Sequence, residues 1–339
     1  MPKTRILIVG DMTVGTNSRS LADGFRATRH EVATLNTALF IQDGFGQPDW
    51  FVQHVLKRPR ISVSKKLEHA LVSMISSFRP QILIVIKGVR FDQEVFLSSN
   101  VPSKVHVSFD DVGNTANVSN AYLENEHRWD FICTTKFHNI AELYSRGAKN
   151  VIFFLGAFDP NFAVKDLAWN QRRYALAFIG NARPDRRALP EYMAAIAFGE
   201  AYCVGPRWER YYPFGLAGVE FQQGMYGPHL RGFGRQVKIG LLVLNSENRD
   251  THTMRSFELP SLGQAVVAQR TSEHEALFTD GHSAMLFDSF EEMVSKATFL
   301  KNHDRIAEKL ASNAFNDLAR PFHTYRARAE EILAKMGIA

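Results

Sequence analysis

Short runs of β-branched and apolar residues alternate along the first half of the chain with longer amphipathic segments. The runs predict strands, and the segments between them predict helices. The predicted strands span residues 5–9, 31–35, 81–86, 104–108, 131–134 and 150–154. The predicted helices span residues 18–28, 64–78, 114–126 and 137–146. Such alternation is typical of βαβ units, so we expect a doubly wound lobe with a parallel sheet.

The second half repeats this alternation after a segment of turn formers and a proline at residues 156–161. Its predicted strands span residues 174–179, 201–204, 237–244, 264–268 and 284–287. Its predicted helices span residues 184–198, 253–262, 272–278, 290–300 and 304–318. The pattern therefore predicts a second α/β lobe, and we place the boundary between residues 165 and 166.

Composition supports two globular lobes. The 339 residues are 45% hydrophobic and 22% charged, close to the averages for folded proteins. The longest apolar runs, at residues 82–86, 151–155 and 239–244, are far shorter than the roughly 20 residues of a membrane-spanning helix. The N-terminus leads straight into a predicted strand without a signal-peptide pattern, which predicts a cytoplasmic protein.

The cysteine content and the net charge bear on disulfide bonds, metal sites and binding partners. Cys133 and Cys203 lie far apart, which argues against a disulfide framework or a cysteine zinc site. The net charge of +5 suits an anionic ligand or an anionic membrane face, although an even excess also suits a solvated exterior. We expect no nucleic-acid partner.

A first glycine-bearing loop follows the first strand, with Gly10, Gly15 and Thr16 before a helix. Such a loop brings backbone N–H groups close to a ligand. Its spacing matches neither the dinucleotide nor the P-loop pattern. A ligand loop and a tight structural turn both remain open, and a nicotinamide-dependent oxidoreductase is disfavoured.

A second loop joins strand and helix at the start of the second lobe, in the sequence Gly180-Asn181-Ala182-Arg183-Pro184-Asp185-Arg186-Arg187. Cations at a helix N-terminus oppose the helix dipole, so stability alone would favour acids there. Arginines and helix amides together suit a diphosphate. A solvated basic turn is the alternative.

A third segment places Asp250 before a short helix that contains Glu258 and Pro260. Carboxylates accept hydrogen bonds from vicinal hydroxyls, so these acids suit a ribose or a hexose. The alternative is that Glu258 pairs with Arg255, three residues earlier.

Two further clusters, at residues 272–275 and 110–111, are typical of helix or turn capping as well as of ligand binding. Residues 272–275 form an S-x-x-E capping box, which assigns Ser272 and Glu275 to helix capping, while His274 is a candidate ligand contact. Asp110 and Asp111 follow a strand where parallel sheets present ligand-binding groups. Two alternatives stay open, contact of one of these aspartates with substrate, and helix or turn capping with residues 113–114.

The second half also resembles a known family. Residues 255–263, followed by 270–273, 277–278, 280–281 and 323–333, are similar to the corresponding segments of CgeB-like glycosyltransferases. These proteins are similar to the retaining family 1 and family 4 GT-B enzymes. The resemblance covers the chain from residue 174 to its end and the first lobe only in general pattern.

The resemblance implies a GT-B fold of two Rossmann-like lobes with parallel sheets and a deep cleft between them. Residues 1–165 would form the acceptor lobe, residues 166–320 the nucleotide-sugar donor lobe, and residues 321–339 a helix that crosses back. It implies a hexosyltransferase-like enzyme that transfers with retention, without a metal and without a cofactor beyond the donor.

The resemblance also assigns site residues. Glu258 matches the second acid of an E-x7-E pair and would hold the ribose, while Asp250 stands at the first acid, near the donor sugar. Arg187 matches one of two diphosphate-binding cations; Asn181 occupies the other position, where Arg183 or Arg186 would substitute. The predicted catalytic residues are Asp250, Arg187 and Glu258. The predicted donor-binding residues are Gly180, Asn181, Arg183, Arg186, Arg187, Asp250, Thr271 and Glu258. The predicted acceptor-side residues are Gly15, Thr16, Asp110 and Asp111.

Other functions fit the same lobes, because a fold does not fix an activity. A nucleotide-sugar epimerase or phosphorylase and a non-catalytic sugar-nucleotide-binding protein stay open. The expected partners are a nucleotide-sugar donor and a glycan, lipid-linked or small-molecule acceptor, with peripheral association at the inner membrane face as a further option. The sugar, the nucleotide and the oligomeric state are left open.

Overall fold

The computed structural model describes residues 3–41, 56, 61–163 and 167–338. The chain forms two compact units, Met1–Leu155 together with Tyr325–Ala339, and Gly156–Thr324. The predicted boundary between residues 165 and 166 lies outside the described residues.

The first unit is built on a parallel sheet buried between helices. Its described strands are β1 Arg5–Gly10, β2 Glu31–Asn36, β3 Ile82–Ile86, β4 Ser103–Ser108, β5 Phe131–Thr134 and β6 Val151–Phe153. Its described helices before residue 155 are α1 Asn17–Arg26, α2 Ile61–Phe78, α3 Glu94–Leu97, α4 Asn120–Asn125 and α5 Asn139–Ser145. The sheet order is β2-β1-β3-β4-β5-β6. All five residues of β3 are buried, as expected for a parallel strand covered on both faces.

The second unit repeats this architecture with a different strand order. Its described strands are β7 Tyr174–Ile179, β8 Ala201–Val204, β9 Val219–Gln222, β10 Val237–Leu242, β11 Ala265–Gln269 and β12 Met285–Phe287. Its described helices are α6 Leu189–Ile196, α7 Gly227–Gly234, α8 Arg255–Ser261, α9 Ser272–Leu277, α10 Phe290–Asn302 and α11 Asp304–Leu318. The sheet order is β12-β11-β10-β7-β8-β9, and all pairs of neighbouring strands are parallel.

The C-terminal helix α12, Tyr325–Lys335, belongs to the first unit and packs against α1. The two helices approach closely at Gly24, where an added Cβ would lie 2.4 Å from the backbone oxygen of Tyr325. Glycine is therefore required at this crossing. The predicted C-terminal segment began at residue 321, four residues before the unit boundary that the structure shows.

The structure contains every predicted strand, with bounds that differ by two residues or fewer. It also contains β9 and α7, which the pattern did not predict because their apolar residues are few and glycine recurs through α7. The predicted helix at residues 114–126 is wrong in its first half. Residues 112–117 form turns, and α4 begins only after Ser119, whose hydroxyl caps it.

Candidate functional site

The two loops that carry most of the predicted donor residues meet at one edge of the second sheet, whereas Glu258 lies in α8 and Thr271 follows β11. Between β7 and β10 the strand order changes direction, and the loops that follow such neighbouring strands border a crevice at their carboxyl ends. The loop after β7 contains residues 180–188, and the loop after β10 contains residues 243–254. Residues that are about sixty positions apart in sequence are thereby brought together.

Side chains of the two loops bind one another. Arg183 Nη1 lies 3.1 Å from Glu247 Oε2. Asp185 Oδ2 accepts hydrogen bonds from the backbone N–H of Ser246 at 2.8 Å and from its hydroxyl at 2.7 Å. Arg183, predicted to contact the donor, therefore already has a protein partner, which leaves part of its guanidinium for a ligand.

Arg186 is a buried residue that joins the loop after β7 to the loop after β10, and it is not an exposed cation. Only 8% of the residue is exposed, and its guanidinium donates to the carbonyl of Val243 at 2.9 Å and lies 5.3 Å from the ring centre of Phe178. Its buried Nε has no hydrogen-bond partner within the described residues. Burial lowers the pKa of Arg186, although the guanidinium remains charged. Direct contact with a donor stays a prediction for this residue.

Arg187 differs from its neighbour. It is exposed, and within the described residues its guanidinium makes no ion pair. Its carbonyl accepts a hydrogen bond from the hydroxyl of Tyr212 at 2.8 Å, which fixes the backbone beneath it. Arg187 is therefore an anchored residue with a guanidinium available for an anion.

Gly180 and Asn181 form the turn that leaves β7. A Cβ on Gly180 would lie 2.7 Å from the ring of Phe178, so a side chain there would displace the aromatic ring. The carbonyl of Gly180 accepts from the indole N–H of Trp208 at 3.1 Å. Asn181 is exposed beside it. The turn therefore leaves no room for a side chain at Gly180 and places Asn181 at the surface.

The two acids occupy different environments. Asp250 Oδ1 accepts a hydrogen bond from Asn248 Nδ2 at 2.7 Å, and the aspartate is partly exposed. Glu258 forms an ion pair with Arg255, so the pairing that the sequence left as an alternative does form. It is not a solvated surface pair, because 12% of the Glu258 side chain is exposed. The Nε of Arg255 also donates to the carbonyl of Ile179 at 3.3 Å, which holds α8 at the end of β7.

Thr271 is the N-cap of α9. Its hydroxyl accepts from the backbone N–H of His274 at 3.0 Å and donates to the carbonyl of Thr251 at 2.6 Å. The prediction that Ser272 caps this helix is wrong by one residue, because Ser272 already has helical backbone. Glu275 pairs with Arg270 instead of completing a capping box.

His274 lies in the core. Its Nδ1 hydrogen bonds to the carbonyl of Gln269 at 2.6 Å, and its Nε2 to the hydroxyl of Ser256 at 2.9 Å. Burial lowers the pKa of His274 to about 4, so the ring is neutral near pH 7. The prediction that His274 contacts the ligand is therefore replaced by a structural role.

A second buried histidine supports the loop that carries Asp250. His252 Nε2 accepts from the backbone N–H of Gly156 at 2.9 Å, which places the ring proton on Nδ1, facing Glu273. Glu273 also accepts from the hydroxyl of Thr251 at 2.5 Å. The sequence analysis did not find this network, because its members are joined only by the tertiary fold.

In the first unit, the loop after β1 is a tight turn that leads into the capped helix α1. Gly15 has φ +88°, a conformation that favours glycine. Thr16 caps α1 by accepting from the backbone N–H of Arg19 at 3.2 Å. The structural-turn alternative describes the local geometry of this loop. The acceptor-side role of Gly15 and Thr16 stays a prediction.

The two aspartates after β4 have separate roles. Asp111 is fully buried, and its Oδ1 accepts from the backbone N–H of Gly113 and from Asn139 Nδ2, each at 2.8 Å. It is therefore the turn-capping residue that the sequence left as one alternative. Asp110 reaches the surface, where its Oδ2 lies 2.6 Å from Lys87 Nζ.

The described residues form neither a metal-binding cluster nor a helix that could cross a membrane. Across residues 3–41, 56, 61–163 and 167–338, no group of three or more His, Cys, Asp or Glu side chains could hold a metal ion. None of the helices in this part of the chain combines the length and apolarity needed to span a membrane.

Known proteins resemble the chain in sequence and in fold. Residues 183–334 match the model of a family described as glycosyl transferase-like. No curated protein sequence matches the chain. Sucrose-phosphate synthase from Thermosynechococcus elongatus has a TM-score of 0.71 and 12% identity, over 99% of this chain and 98% of that chain. An alpha-glucosyltransferase in complex with UDP-glucose and DNA containing an abasic site has a TM-score of 0.70 and 14% identity, over 99% of each chain. Anabaena HepE in complex with UDP and glucose has a TM-score of 0.66 and 10% identity, over 99% of this chain and 100% of that chain.

At these identities the structural likeness is a likeness of fold. It confirms the predicted α/β fold class of two Rossmann-like lobes with parallel sheets. The protein thus has the GT-B fold, and its residues 183–334 match the model of the glycosyl transferase-like family.

Proposed function

We propose that this protein is a glycosyltransferase that binds a nucleotide-sugar donor at the carboxyl edge of the second sheet. The observation that carries the proposal is the exposed guanidinium of Arg187 at the switch point between β7 and β10. A cation held there on a fixed backbone is suited to the diphosphate of a donor. The family match over residues 183–334 supports the same activity.

The surrounding groups fit the parts of such a donor. Arg183 and Arg187 would bind the diphosphate and stabilise the charge that develops as it leaves. Glu258, held by Arg255, would accept hydrogen bonds from the ribose hydroxyls. Asp250 would contact the transferred sugar from the partly exposed end of the loop after β10.

The finer class of the enzyme follows from the resemblance to CgeB-like glycosyltransferases. We propose a hexose donor, retention at the anomeric carbon, and neutralisation of the leaving group by arginines rather than by a metal ion. Two structural relatives are complexes with UDP-glucose or with UDP and glucose, which makes a UDP-hexose the first donor to test.

The test is product analysis. The purified chain is incubated with UDP-, GDP-, CDP-, dTDP- and ADP-hexoses, and nucleoside diphosphate release and the remaining nucleotide sugar are both quantified. A glycosyltransferase releases the diphosphate by transfer or slow hydrolysis, and Arg187→Ala and Glu258→Gln should each abolish this release. Glu258→Gln is preferred to alanine because it keeps a polar partner for Arg255.

Two results would replace the proposal. An altered nucleotide sugar without diphosphate release identifies an epimerase. Binding of a nucleotide sugar without either product identifies a non-catalytic binding protein. Undiminished release by Arg187→Ala would remove the assigned diphosphate site.

A further inference from the structure

The backbone that follows β3 is left-handed at two consecutive residues, the first of which carries a side chain. Lys87 has φ +64°, in the left-handed region, and Gly88 follows with φ +57°. Glycine adopts this conformation freely, whereas a residue with a Cβ does so at a cost. Glycine and asparagine favour this region, whereas position 87 carries a lysine.

A buried chain of hydrogen bonds from Tyr122 through His106 to the carbonyl of Lys87, here called the relay, maintains this conformation. His106 in β4 is fully buried, and its Nε2 hydrogen bonds to the carbonyl of Lys87 at 2.6 Å. Burial lowers the pKa of His106 to about 4, so near pH 7 one ring nitrogen donates and the other accepts. Its Nδ1 lies 2.9 Å from the hydroxyl of Tyr122, which donates to it. The backbone N–H of Lys87 is bound to the carbonyl of Val107 at 2.8 Å.

The relay holds the backbone from which the Lys87 side chain extends. Lys87 Nζ is 2.6 Å from Asp110 Oδ2, and the two side chains are 50% and 37% exposed. An ion pair this exposed contributes little to stability, so it does not offset the backbone strain. Strain that is held by buried groups and yields an exposed polar pair is typical of functional sites.

The position and charge of this pair indicate its ligand. In the sheet order β2-β1-β3-β4, the switch point lies between β1 and β3, and Lys87 directly follows β3. The ammonium of Lys87 and the carboxylate of Asp110 offer a donor and an acceptor side by side. Two neighbouring hydroxyls of a sugar match them, one accepting and one donating. The carboxylate so close to the ammonium disfavours a phosphate.

We propose that Lys87 and Asp110 form an acceptor subsite for a neutral polyhydroxylated group, that is, a carbohydrate. This inference rests on the proposed function, because it assigns the acceptor side of the same transfer. His106 and Tyr122 are positioning residues for Lys87.

Binding by the full chain tests the subsite. Saturation-transfer NMR is recorded with glucose, N-acetylglucosamine, maltose and glucose 6-phosphate as probes. The variants are Lys87→Gly, which suits the left-handed backbone, and Asp110→Asn. The matched control is Lys149→Ala, which removes the lysine of another exposed Lys–Asp pair, with Asp130, at 3.7 Å and before the start of β6.

We expect at least one neutral sugar to bind, and both site variants to weaken it at least fivefold while the control does not. Lys87→Gly should also keep or raise the melting temperature, which a merely structural lysine would not combine with lost binding. The subsite is overturned if no neutral sugar binds the wild-type chain, if the variants bind as well as wild type, or if glucose 6-phosphate binds more tightly than glucose.

Failure of the subsite and failure of the proposed function give different results. Nucleoside diphosphate release depends on Arg187 and is measured without an added acceptor, so it reports the donor site separately. Release without sugar binding removes only the subsite. Sugar binding that depends on Lys87, without release from any donor, removes the proposed transfer and leaves a carbohydrate-binding site at Lys87 and Asp110 that is not an acceptor subsite.

Discussion

Arg186 and Arg187 are adjacent in sequence, yet the structure predicts opposite consequences for their removal. Arg186→Ala removes a charged hydrogen bond to the carbonyl of Val243, worth about 1.5–3 kcal/mol, and contact with the face of Phe178, worth about 0.5–2 kcal/mol. Relief from burying the charge offsets part of this loss. We expect a net destabilisation of about 2–4 kcal/mol, or a melting temperature lower by roughly 5–15 °C for a unit of this size.

Arg187→Ala should change the free energy of unfolding by no more than about 0.5 kcal/mol, because the exposed guanidinium has no ion-pair partner in the described part of the chain. Its loss should instead weaken diphosphate binding. A hydrogen bond to a charged group contributes about 1.5–3 kcal/mol, which corresponds to a roughly 10- to 150-fold rise in Kd.

The assay pairs differential scanning calorimetry of both variants with titration calorimetry against UDP, GDP, CDP, dTDP and ADP. Ligand that binds only the folded chain also raises the melting temperature, which gives a second readout of the same site. A melting temperature that falls as far in Arg187→Ala as in Arg186→Ala would contradict the different surroundings of the two arginines. Binding of the preferred diphosphate to Arg187→Ala with wild-type affinity would contradict the assigned diphosphate site.

Three further predictions concern the fold. Gly24→Ala should destabilise the first unit by about 1–3 kcal/mol despite better helix propensity, because the new methyl group lies 2.4 Å from backbone. Gly232→Ala, whose new methyl group has nothing within 4 Å, should stabilise its helix by about 0.5–1 kcal/mol. Equal shifts of the melting temperature for the two variants in calorimetry would contradict this difference. Thr271→Ala should lower the free energy of unfolding by about 1–2 kcal/mol because the helix loses its N-cap, whereas Ser272→Ala should be nearly neutral. Denaturant unfolding that ranks the two variants in the opposite order would support the capping box with Ser272 as N-cap. The pKa of His274 is about 4 in the folded chain and 6.5 in the reference state, so the unfolded chain binds the extra proton as pH falls from 7 to 4. His274 alone should therefore lower the stability by about 3 kcal/mol over this range, in addition to the loss from His106, which also has a pKa of about 4. His274→Gln should lose less stability than the wild-type chain, and an equal drop would exclude His274 as a cause.

Much of the architecture was determined by the sequence itself. Parallel strands covered on both faces are continuous apolar runs, so β5 and β8 were predicted to the residue. Alternation of such runs with amphipathic segments is sufficient to predict two doubly wound sheets. The loops after β7 and β10 follow from the same pattern, because ligand-binding residues of parallel sheets lie just after the strands. The partly exposed strand β9 was missed since it lacks that apolar run.

Only the tertiary structure decided what each residue in those loops does. Neighbours in sequence face different surroundings, so Arg186 is buried and Arg187 exposed, just as Asp111 caps a turn while Asp110 meets Lys87. The left-handed backbone of Lys87 depends on a histidine nineteen positions away. Burial and partner choice are set by contacts between distant segments, which no local pattern of hydrophobic and polar residues encodes.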